Sequence, residues 1–325
     1  MARIALDAMG GDLAPEQAVL GGVDAAARGV DVVLVGDDGA IAPILEAQGV
    51  SLPIVHAPEV IDMGDDPAAA IRRKKGASVT VAARLVADGE ADGMVSAGST
   101  GAAMAAATLV IGRIDGVSRP AIATIFPLGS PTVVLDAGAN LEVRPEHLVQ
   151  FAVMGSVIAE IYLGRERPTV GLLNIGEEPG KGRDLEKAAH AALSMLPDFV
   201  GNVEGRDLGR GKADVFVTDG FSGNVLLKTA EGVARVVGRF VLEGLAEGAD
   251  AATQEALEVL MPHFLALRQR FDPEAYGGAH LVGVRGAVVI AHGSSSRVAI
   301  ANAVAMAAEG CDRGLVPRIE AGIRG

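Results

Sequence analysis

Short apolar runs alternate with longer segments of helical periodicity along most of the chain. The apolar runs predict buried strands at 3–7, 32–36, 53–56, 93–96, 120–126, 132–136, 169–174, 199–203, 214–218 and 286–291. The segments between them predict helices at 15–28, 38–48, 67–74, 77–88, 145–163, 184–195 and 296–312, with another that begins near residue 100. Strands that alternate with helices in this way predict an α/β fold built on a mostly parallel sheet.

Two parts of the chain depart from this alternation. No helix fits between the strands at 120–126 and 132–136, where Pro-Leu-Gly-Ser-Pro predicts a turn, so we expect an antiparallel element there. Residues 220–272 are helical in composition, with a turn near 247–250. They predict a projecting helical hairpin inserted into one catalytic domain of residues 1–325.

The second helix of this hairpin has one apolar stripe, formed by Leu257, Leu260, Phe264, Leu267 and Phe271. One interpretation is that the stripe packs on the neighbouring helix or on a second subunit. The other is that residues 254–271 enter a membrane interface, where Arg268 and Arg270 would meet lipid head groups. The sequence leaves both interpretations open.

The composition narrows the class of protein. The chain is 50% hydrophobic but only 3% aromatic, so its core consists of small aliphatic side chains, as in parallel sheets covered by helices. A net charge of −13 argues against nucleic acid as the main partner and against purely electrostatic docking on anionic lipid. The single cysteine, Cys311, excludes an intramolecular disulfide. With no signal peptide and no long apolar run, we expect a cytoplasmic protein.

Six of the predicted strands end in clusters of glycine and small polar residues. The clusters occupy residues 7–12, 96–101, 136–140, 174–178, 218–224 and 292–296. In an open α/β sheet, ligands bind outside the carboxyl ends of the strands. The sequence therefore predicts one shared site on one edge of the sheet.

The glycine-rich clusters are suited to binding phosphate. Gly98-Ser99-Thr100-Gly101 opens a helix, so its free backbone N–H groups and hydroxyls would lie at a positive dipole end. Residues 219–224 and 293–295 repeat this arrangement. Simple helix capping would explain any one of them. Their recurrence favours an anion site.

Charged candidates accompany these turns. Residues 72–75 form the one dense basic run, and anion binding competes there with docking of an acidic partner. Arg235 and Arg239 form a second possible docking patch. Lys181 lies in a glycine-rich loop and His292 at a strand end. We find no metal-ligand cluster, nucleotide fingerprint or Gly-x-Ser-x-Gly turn, so we predict neither a metal nor a cofactor.

The motifs together resemble those of the bacterial acyl-carrier-protein:phosphate acyltransferases of phospholipid synthesis. The resemblance begins with Asp7-Ala8-Met9-Gly10-Gly11-Asp12. It continues in order through 66–67 with Arg72 and Lys74, then 96–101, 135–140, 173–176 with 181–182, 217–224, 276–279 and 291–295. Each motif alone is weak, but the opening motif and the seven that follow it in the same order span nearly the whole chain.

This resemblance implies a fold, an activity and partners. The fold would be a three-layer α/β/α sandwich similar to that of the isocitrate and isopropylmalate dehydrogenases. The activity would be transfer of a long-chain fatty acyl group from an acyl-carrier-protein thioester to inorganic phosphate, giving acyl phosphate for phosphatidic acid synthesis. The family also implies a homodimer, partly formed by the hairpin, that is cytoplasmic and peripherally associated with the membrane.

Phosphate is itself a nucleophile at neutral pH, so we expect direct attack without a catalytic triad or a covalent enzyme intermediate. The catalytic candidates are Lys181, Asn224 and His292. The substrate- and phosphate-binding candidates are Asp7, Gly10, Gly11, Asp12, Lys74, Ser96, Gly98, Ser99, Thr100, Asp136, Asn140, Asn174, Asp219, Ser222, Gly223, Gly293 and Ser294. Phosphate contact is assigned to Ser99, Thr100, Ser222, Asn224 and His292, with charge neutralisation by Lys181. The rival functions are a dehydrogenase and a non-catalytic scaffold.

Overall fold

Strands and helices alternate in the computed structural model, which describes residues 1–127, 129–246, 250–270 and 276–324. The strands are β1 (Arg3–Asp7), β2 (Asp31–Gly36), β3 (Ile54–His56), β4 (Gly93–Ser96), β5 (Ala121–Phe126), β6 (Thr132–Leu135), β7 (Val170–Leu173), β8 (Phe199–Val203), β9 (Val215–Val217), β10 (Ala279–Val282) and β11 (Ala287–Ile290). The helices are α1 (Glu16–Ala27), α2 (Asp38–Gln48), α3 (Pro67–Arg73), α4 (Ser78–Ala87), α5 (Thr100–Ala106), α6 (Pro145–Tyr162), α7 (Asp184–Leu193), α8 (Gly220–Ala246), α9 (Ala251–Arg270), α10 (Arg297–Asp312) and α11 (Leu315–Arg324). The predicted α/β class and the positions of the predicted strands are confirmed.

All the strands belong to one mixed sheet, in the order β3-β2-β1-β4-β11-β10-β5-β6-β9-β7-β8. From β3 to β11 neighbouring strands are parallel, and from β6 to β8 they are parallel as well. Between these blocks, β10 is antiparallel to β11 and β5, and β5 is antiparallel to β6. These three reversals make the two parallel blocks run in opposite directions.

Helices cover both faces of this sheet. Consecutive residues of β11 belong to different core clusters, because successive strand side chains point to opposite faces. Val289 packs with α1 and α10, whereas Val288 packs with α3, α4 and α5. In the second block, α6 and α11 cover one face, and the buried Leu227 of α8 joins the other. The core is mostly aliphatic on both sides, as the composition predicts, with Phe151 and Phe216 among the buried exceptions.

The sheet confirms one prediction about strand direction and contradicts another. The antiparallel element is present, since β5 pairs with β6 through Ala123 with Leu135 and Phe126 with Thr132. The prediction that all six polar clusters share one sheet edge is wrong. Since β6, β7 and β9 run opposite to β1, β4 and β11, their carboxyl ends lie at the other edge. Local hydrophobic patterns do not encode strand direction, and β10 was not predicted.

The predicted hairpin corresponds to α8 and α9, which follow one another with no strand in the described residues between them. The first turns of α8 are packed, with Gly223 and Leu227 buried, whereas side chains from Val233 to Leu245 are mostly exposed. In α9, Leu257 and Phe264 are half-buried and Leu260 is exposed. Phe271 and the side chains of Leu267, Arg268 and Arg270 lie outside the described residues. Among the described helices, none combines the length and apolar character needed to span a bilayer.

Candidate active site

Three glycine-rich strand ends pack together at the carboxyl edge of β1, β4 and β11, and we call residues 7–12, 96–101 and 292–295 the glycine cradle. A methyl group at Gly10 would lie 2.6 Å from Asp7 Oδ2 and 2.8 Å from the Gly98 backbone nitrogen. One at Gly98 would lie 3.4 Å from the Gly10 Cα. Backbones that approach this closely leave no room for side chains, so glycine is required where the first two turns meet.

A buried carboxylate fixes these turns. Asp7 is 2% exposed, and its Oδ2 accepts a hydrogen bond of 2.7 Å from Ser96 Oγ. Ser96 Oγ in turn accepts the Gly98 backbone N–H at 3.1 Å. Burial raises the pKa of Asp7 above its usual value, and hydrogen bonds from Ser78 and Ser96 oppose part of the rise. Sequence reasoning missed Ser78, which lies at the start of α4 with no polar cluster around it to single it out.

The third turn is joined to the first by the backbone. The Asp12 N–H donates to the Gly293 carbonyl oxygen at 2.7 Å. Gly11 has a φ of +113°, and a methyl group there would lie 3.2 Å from the same carbonyl oxygen. A methyl group at Gly293 would lie 3.1 Å from Asp12 Oδ2. The predicted residues Gly11, Asp12 and Gly293 are therefore in direct contact.

His292 is exposed in this turn, with one nitrogen occupied. Its Nδ1 lies 2.9 Å from Ser294 Oγ and accepts the Ser294 backbone N–H at 3.3 Å. An imidazole that accepts at Nδ1 has its proton at Nε2 in the neutral form. His292 can therefore offer an Nε2–H donor to an anion. Its contact with Ser294 is a local turn bond rather than a catalytic dyad, because Ser294 donates to Nδ1 through its backbone as well.

The start of α5 completes the cradle. Ser99 caps this helix through its Oγ, which accepts the Ala102 N–H at 3.4 Å. Thr100, the first residue of the helix, is exposed. The side chain of Pro67 in α3 lies 2.8 Å from where a methyl group at Gly101 would be. Asp7, Ser78, Ser96 and Ser99 line a small cleft together with Gly10, Val60, Ile61, Val79, Gly98 and Ala102.

Lys74 forms hydrogen bonds with one wall of this cleft. Its Nζ donates to the Val60 carbonyl oxygen at 2.9 Å and to Asp65 Oδ2 at 2.8 Å. The hydrogen bond to Asp65 raises the pKa of Lys74. Because Val60 lines the cleft, Lys74 lies beside the cradle, but its ammonium is already bonded to the loop of residues 60–65.

The remaining predicted residues form a second strand-end group, made of residues 136–140, 174–183 and 219–224. Asp136 is fully buried, and its two oxygens accept the backbone N–H groups of Ile122, Gly138, Ala139 and Asn140 and the Asn140 side-chain amide. Burial raises the pKa of Asp136, and these hydrogen bonds oppose the rise. A methyl group at Gly223 would lie 1.9 Å from the Asp136 carbonyl oxygen, so α8 packs directly on this turn.

Arg183 links two elements of the second group, and sequence reasoning missed it. Its guanidinium donates to Asp219 Oδ2 at 2.6 Å and also pairs with Glu186. Asp219 is 3% exposed, and its Oδ1 caps α8 by accepting the Ser222 N–H at 2.7 Å. Burial opposes ionisation of Glu186, but the bonds from Arg183 outweigh it, so the pKa of Glu186 is lowered.

Lys181 and Asn224 are more loosely held in this group. The side chain of Lys181 is 51% exposed, and its Nζ lies 3.9 Å from Glu178 Oε2. Asn174 donates from its side-chain amide to the Lys181 carbonyl oxygen at 3.1 Å. Asn224 is exposed and faces the turn at Gly138. A methyl group added to Gly138 would lie 3.9 Å from Asn224 Oδ1. Both side chains remain available to a ligand.

The predicted site residues therefore form two groups at opposite edges of the sheet. The cradle contains Asp7, Gly10, Gly11, Asp12, Ser96, Gly98, Ser99, Thr100, His292, Gly293 and Ser294, with Lys74 beside it. The second group contains Asp136, Asn140, Asn174, Lys181, Asp219, Ser222, Gly223 and Asn224. None of the contacts described above joins the two groups. A single phosphate ion bound to the cradle would not also be held by Ser222.

One acidic cluster lies near the second group. The carboxylates of Glu177, Glu204 and Asp207 are close enough to share a metal ion. The ammonium of Lys212 already pairs with Glu177 at 2.9 Å and with Asp207 at 3.2 Å. Glu204 pairs with Arg206, so each of the three carboxylates has a cationic partner, and the absence of a metal stays a prediction.

Comparison with known proteins decides the family. The model of the family described as fatty acid synthesis protein matches residues 2–318. The chain belongs to this family. Its relatives include a phosphate acyltransferase of Desulforamulus reducens, 50% identical over 98% of this chain and 97% of the relative. Another, from Synechocystis, is 47% identical over 98% of this chain and 93% of the relative. The protein is thus an acyltransferase, and acyl transfer involving phosphate is its activity.

Solved structures share the fold of this family member. A phosphotransacetylase from Staphylococcus aureus has a TM-score of 0.63 at 18% identity, covering 95% of this chain and 94% of its own. A branched-chain phosphotransacylase from Enterococcus faecalis has a TM-score of 0.61 at 16% identity, covering 96% and 99%. A 4-hydroxythreonine-4-phosphate dehydrogenase from Klebsiella pneumoniae has a TM-score of 0.54 at 14% identity, covering 96% and 100%. At these identities the likeness concerns the fold alone.

Proposed function

We propose that this protein transfers a long-chain fatty acyl group from an acyl-carrier-protein thioester to inorganic phosphate. The acyl phosphate would then supply phosphatidic acid synthesis. The observation that carries the proposal is the glycine cradle, where the contacts at Gly10 are too close for any side chain and those at Gly98 and Gly293 are tight. Such turns present backbone N–H groups to an anion without steric bulk. The family adds that the anion takes part in acyl transfer.

In this proposal phosphate binds the cradle and attacks the thioester directly. A phosphate oxygen forms the new C–O bond to the acyl carbon, the C–S bond breaks, and the carrier thiol leaves with a proton. Fixing the two reactants in line contributes about 7–11 kcal/mol of barrier reduction. Donors aimed at the oxyanion contribute about 3–4 kcal/mol each. The Nε2–H of His292 and the hydroxyl of Thr100 are the side-chain donors offered here.

Asp7 acts in this scheme as a positioning residue. Because it is buried and bonded to Ser96, it orders the two turns that present the backbone donors. Direct attack requires no enzyme nucleophile, in keeping with the local role of Ser294. Asn224 and Lys181 are proposed to contact the acyl donor rather than the phosphate, since the second group lies at the other sheet edge.

The finer expectations about assembly and fold belong to this proposal too. The homodimer, the peripheral membrane association and the cytoplasmic location rest on the family resemblance and on the exposed apolar side chains of α8. The likeness to the isocitrate dehydrogenases rests on the sequence resemblance. The phosphotransacylase neighbours support the acyl phosphate chemistry by analogy of fold.

The first experiment measures acyl phosphate formation from palmitoyl-acyl carrier protein and inorganic phosphate. Carrier thiol release should require phosphate, and hydroxylamine should trap the product. A burst of thiol release without phosphate would instead indicate a covalent acyl-enzyme. Absence of any phosphate-dependent release, with both substrates shown to be competent, would refute the proposed function.

Two variants test whether the cradle contacts phosphate and the second group contacts the acyl donor. His292→Ala should lower turnover by about tenfold to a thousandfold and raise the KM for phosphate, because it removes an anion donor. Lys181→Ala should raise the KM for the acyl donor more than that for phosphate. Both side chains are exposed, so neither change should shift the melting temperature appreciably. Wild-type turnover in either variant would remove that residue from the mechanism.

A further inference from the structure

Four exposed cations have no ionic partner within the described part of the chain and belong to the segment that borders the cleft. We call these residues, Arg72, Arg73, Lys75 and Arg84, the basic rim. Arg72 and Arg73 end α3, Lys75 follows two residues later, and Arg84 belongs to α4. The Arg84 guanidinium donates to the Lys75 carbonyl oxygen at 3.2 Å, which brings Arg84 next to the segment that connects the two helices. Among the described residues, no carboxylate lies within 4.0 Å of any of these four cationic groups.

Within the basic run of residues 72–75, Lys74 differs from its neighbours in the contacts that it makes. Its ammonium is bonded to Asp65 and to the Val60 carbonyl oxygen, so it belongs to the cleft wall. Its neighbours Arg73 and Lys75 point to solvent. Elsewhere on this acidic chain arginines commonly pair with carboxylates, as Arg165 does with Asp214 and Arg297 with Asp24. Unpaired cations grouped on a protein of net charge −13 are therefore a local exception.

The rim borders the entrance to the cradle. Pro67, at the start of α3, packs against Gly101 of the cradle. Ser78 and Val79, at the start of α4, line the cleft with Asp7 and Ser96. Arg72, Arg73 and Lys75 lie between these two contacts along the chain, and Arg84 is bonded to Lys75. A partner bound on the rim would thus lie beside the elements that line the cleft.

We infer that the basic rim is the docking surface for the acyl donor's carrier protein, recognised as an acidic protein surface. The inference rests on the proposed function, because it assigns a place to that reaction's donor. A thioester and an alkyl chain have no charge that would need these cations. A negatively charged enzyme repels an acidic partner, and a local positive patch overcomes this repulsion and orients the encounter.

The test compares a charge-reversed rim with a matched control. Arg72→Glu with Arg73→Glu changes the rim, and Lys187→Glu with Arg210→Glu makes the same charge change at exposed, unpaired positions elsewhere. At low salt the rim variant should raise the KM for palmitoyl-acyl carrier protein by about tenfold, with kcat unchanged. Its KM for phosphate and for palmitoyl-pantetheine, which lacks the protein, should stay at the wild-type value. The control should behave as wild type, and added salt should reduce the difference.

Each other outcome has a definite meaning. A wild-type enzyme that forms no acyl phosphate from either donor refutes the proposed function, whatever the rim does. An active wild type with an unchanged carrier-protein KM in the rim variant overturns the docking inference. A raised KM for phosphate would place the rim in the phosphate site and also overturn it. If the rim variant keeps the wild-type KM for the carrier protein but loses binding to phosphatidylglycerol vesicles, the rim is a lipid-binding surface and the inference is overturned as well. If Arg235→Glu with Arg239→Glu raises that KM instead, the docking surface is on α8.

Discussion

At Gly10 the glycine cradle has no room for even one extra carbon. The Asp7 carboxylate and the Gly98 nitrogen occupy the space that a side chain would need. The same closeness holds the backbone donors of two turns in one arrangement. We therefore expect activity to be sensitive to added volume at this position.

Gly10→Ala should lower turnover by about a hundredfold or more and destabilise the fold by about 1–3 kcal/mol through overpacking. Steady-state kinetics and chemical denaturation would measure the two effects. Gly64→Ala is the matched control, because a methyl group there would meet no atom within 4 Å. Equal kinetics in Gly10→Ala and wild type would show that the cradle takes no part in the reaction.

Residue types could be predicted at the site, but their partners could not. The sequence singled out Lys74 within a basic run, yet only the fold shows that its ammonium bonds to Asp65 while Arg73 stays free. Arg183 was missed because its partner Asp219 lies on a distant strand end. Ionic pairs between elements depend on spacing in three dimensions, which a single sequence does not display.

At the scale of elements, α1 and α10 pack side by side over the first block of strands. An ion pair fastens them, with Arg297 Nε 2.7 Å from Asp24 Oδ2 and Arg297 Nη2 2.6 Å from Asp24 Oδ1. The hydrogen bonds from Arg297 lower the pKa of Asp24, although burial opposes them. A carboxyl group with a lowered pKa in the folded state stabilises the protein when ionised.

Asp24→Asn should lower the melting temperature at pH 7 by about 1–3 °C, a small effect because both side chains are partly exposed. The difference from wild type should be complete above the usual carboxyl pKa of 3.8 and disappear as the pH falls below it. Calorimetry from about pH 2 to about pH 7, in steps of roughly one pH unit, would measure this difference in melting temperature. Asp88→Asn, at an exposed carboxylate without an ion pair in the described residues, should show no such dependence. A difference that persists at low pH would contradict the linkage.

The positions of most strands and helices could be predicted from local sequence patterns, whereas the directions of the strands in the sheet could not. The run at 286–291 predicted β11, and α10 follows it as expected. β10 escaped prediction because Ala279–Val282 is short and follows a glycine-rich segment. Its antiparallel pairing on both sides reverses the second block. Pairing partners far apart in the chain decide that reversal.

At the scale of the whole molecule, α8 presents an apolar stripe to solvent. Phe240 is 74% exposed, and Val233, Val236, Val237 and Val241 are exposed around it. Their spacing of three and four residues places them on one face of the helix. A contiguous apolar face of this kind indicates a contact with another surface. The proposed homodimer supplies such a surface.

If the proposed homodimer forms through this stripe, Phe240→Glu should convert it to a monomer, since the change places a charge in the centre of the apolar stripe. Analytical ultracentrifugation would show the change in mass. Arg235→Glu, at an exposed polar position of the same helix, is the control and should leave the mass unchanged. An unchanged dimer that has lost binding to lipid vesicles would instead support the membrane interpretation of the hairpin.

The sheet order also has a consequence for synthesis on the ribosome. β4 ends at Ser96, but its neighbour β11 begins only at Ala287. The turn after β11 supplies Gly293, whose carbonyl oxygen receives the Asp12 N–H. The glycine cradle thus stays unfinished until nearly the whole polypeptide has been translated. Nascent chains that stop before β11 will have most of the strands but only two of the three turns of the cradle.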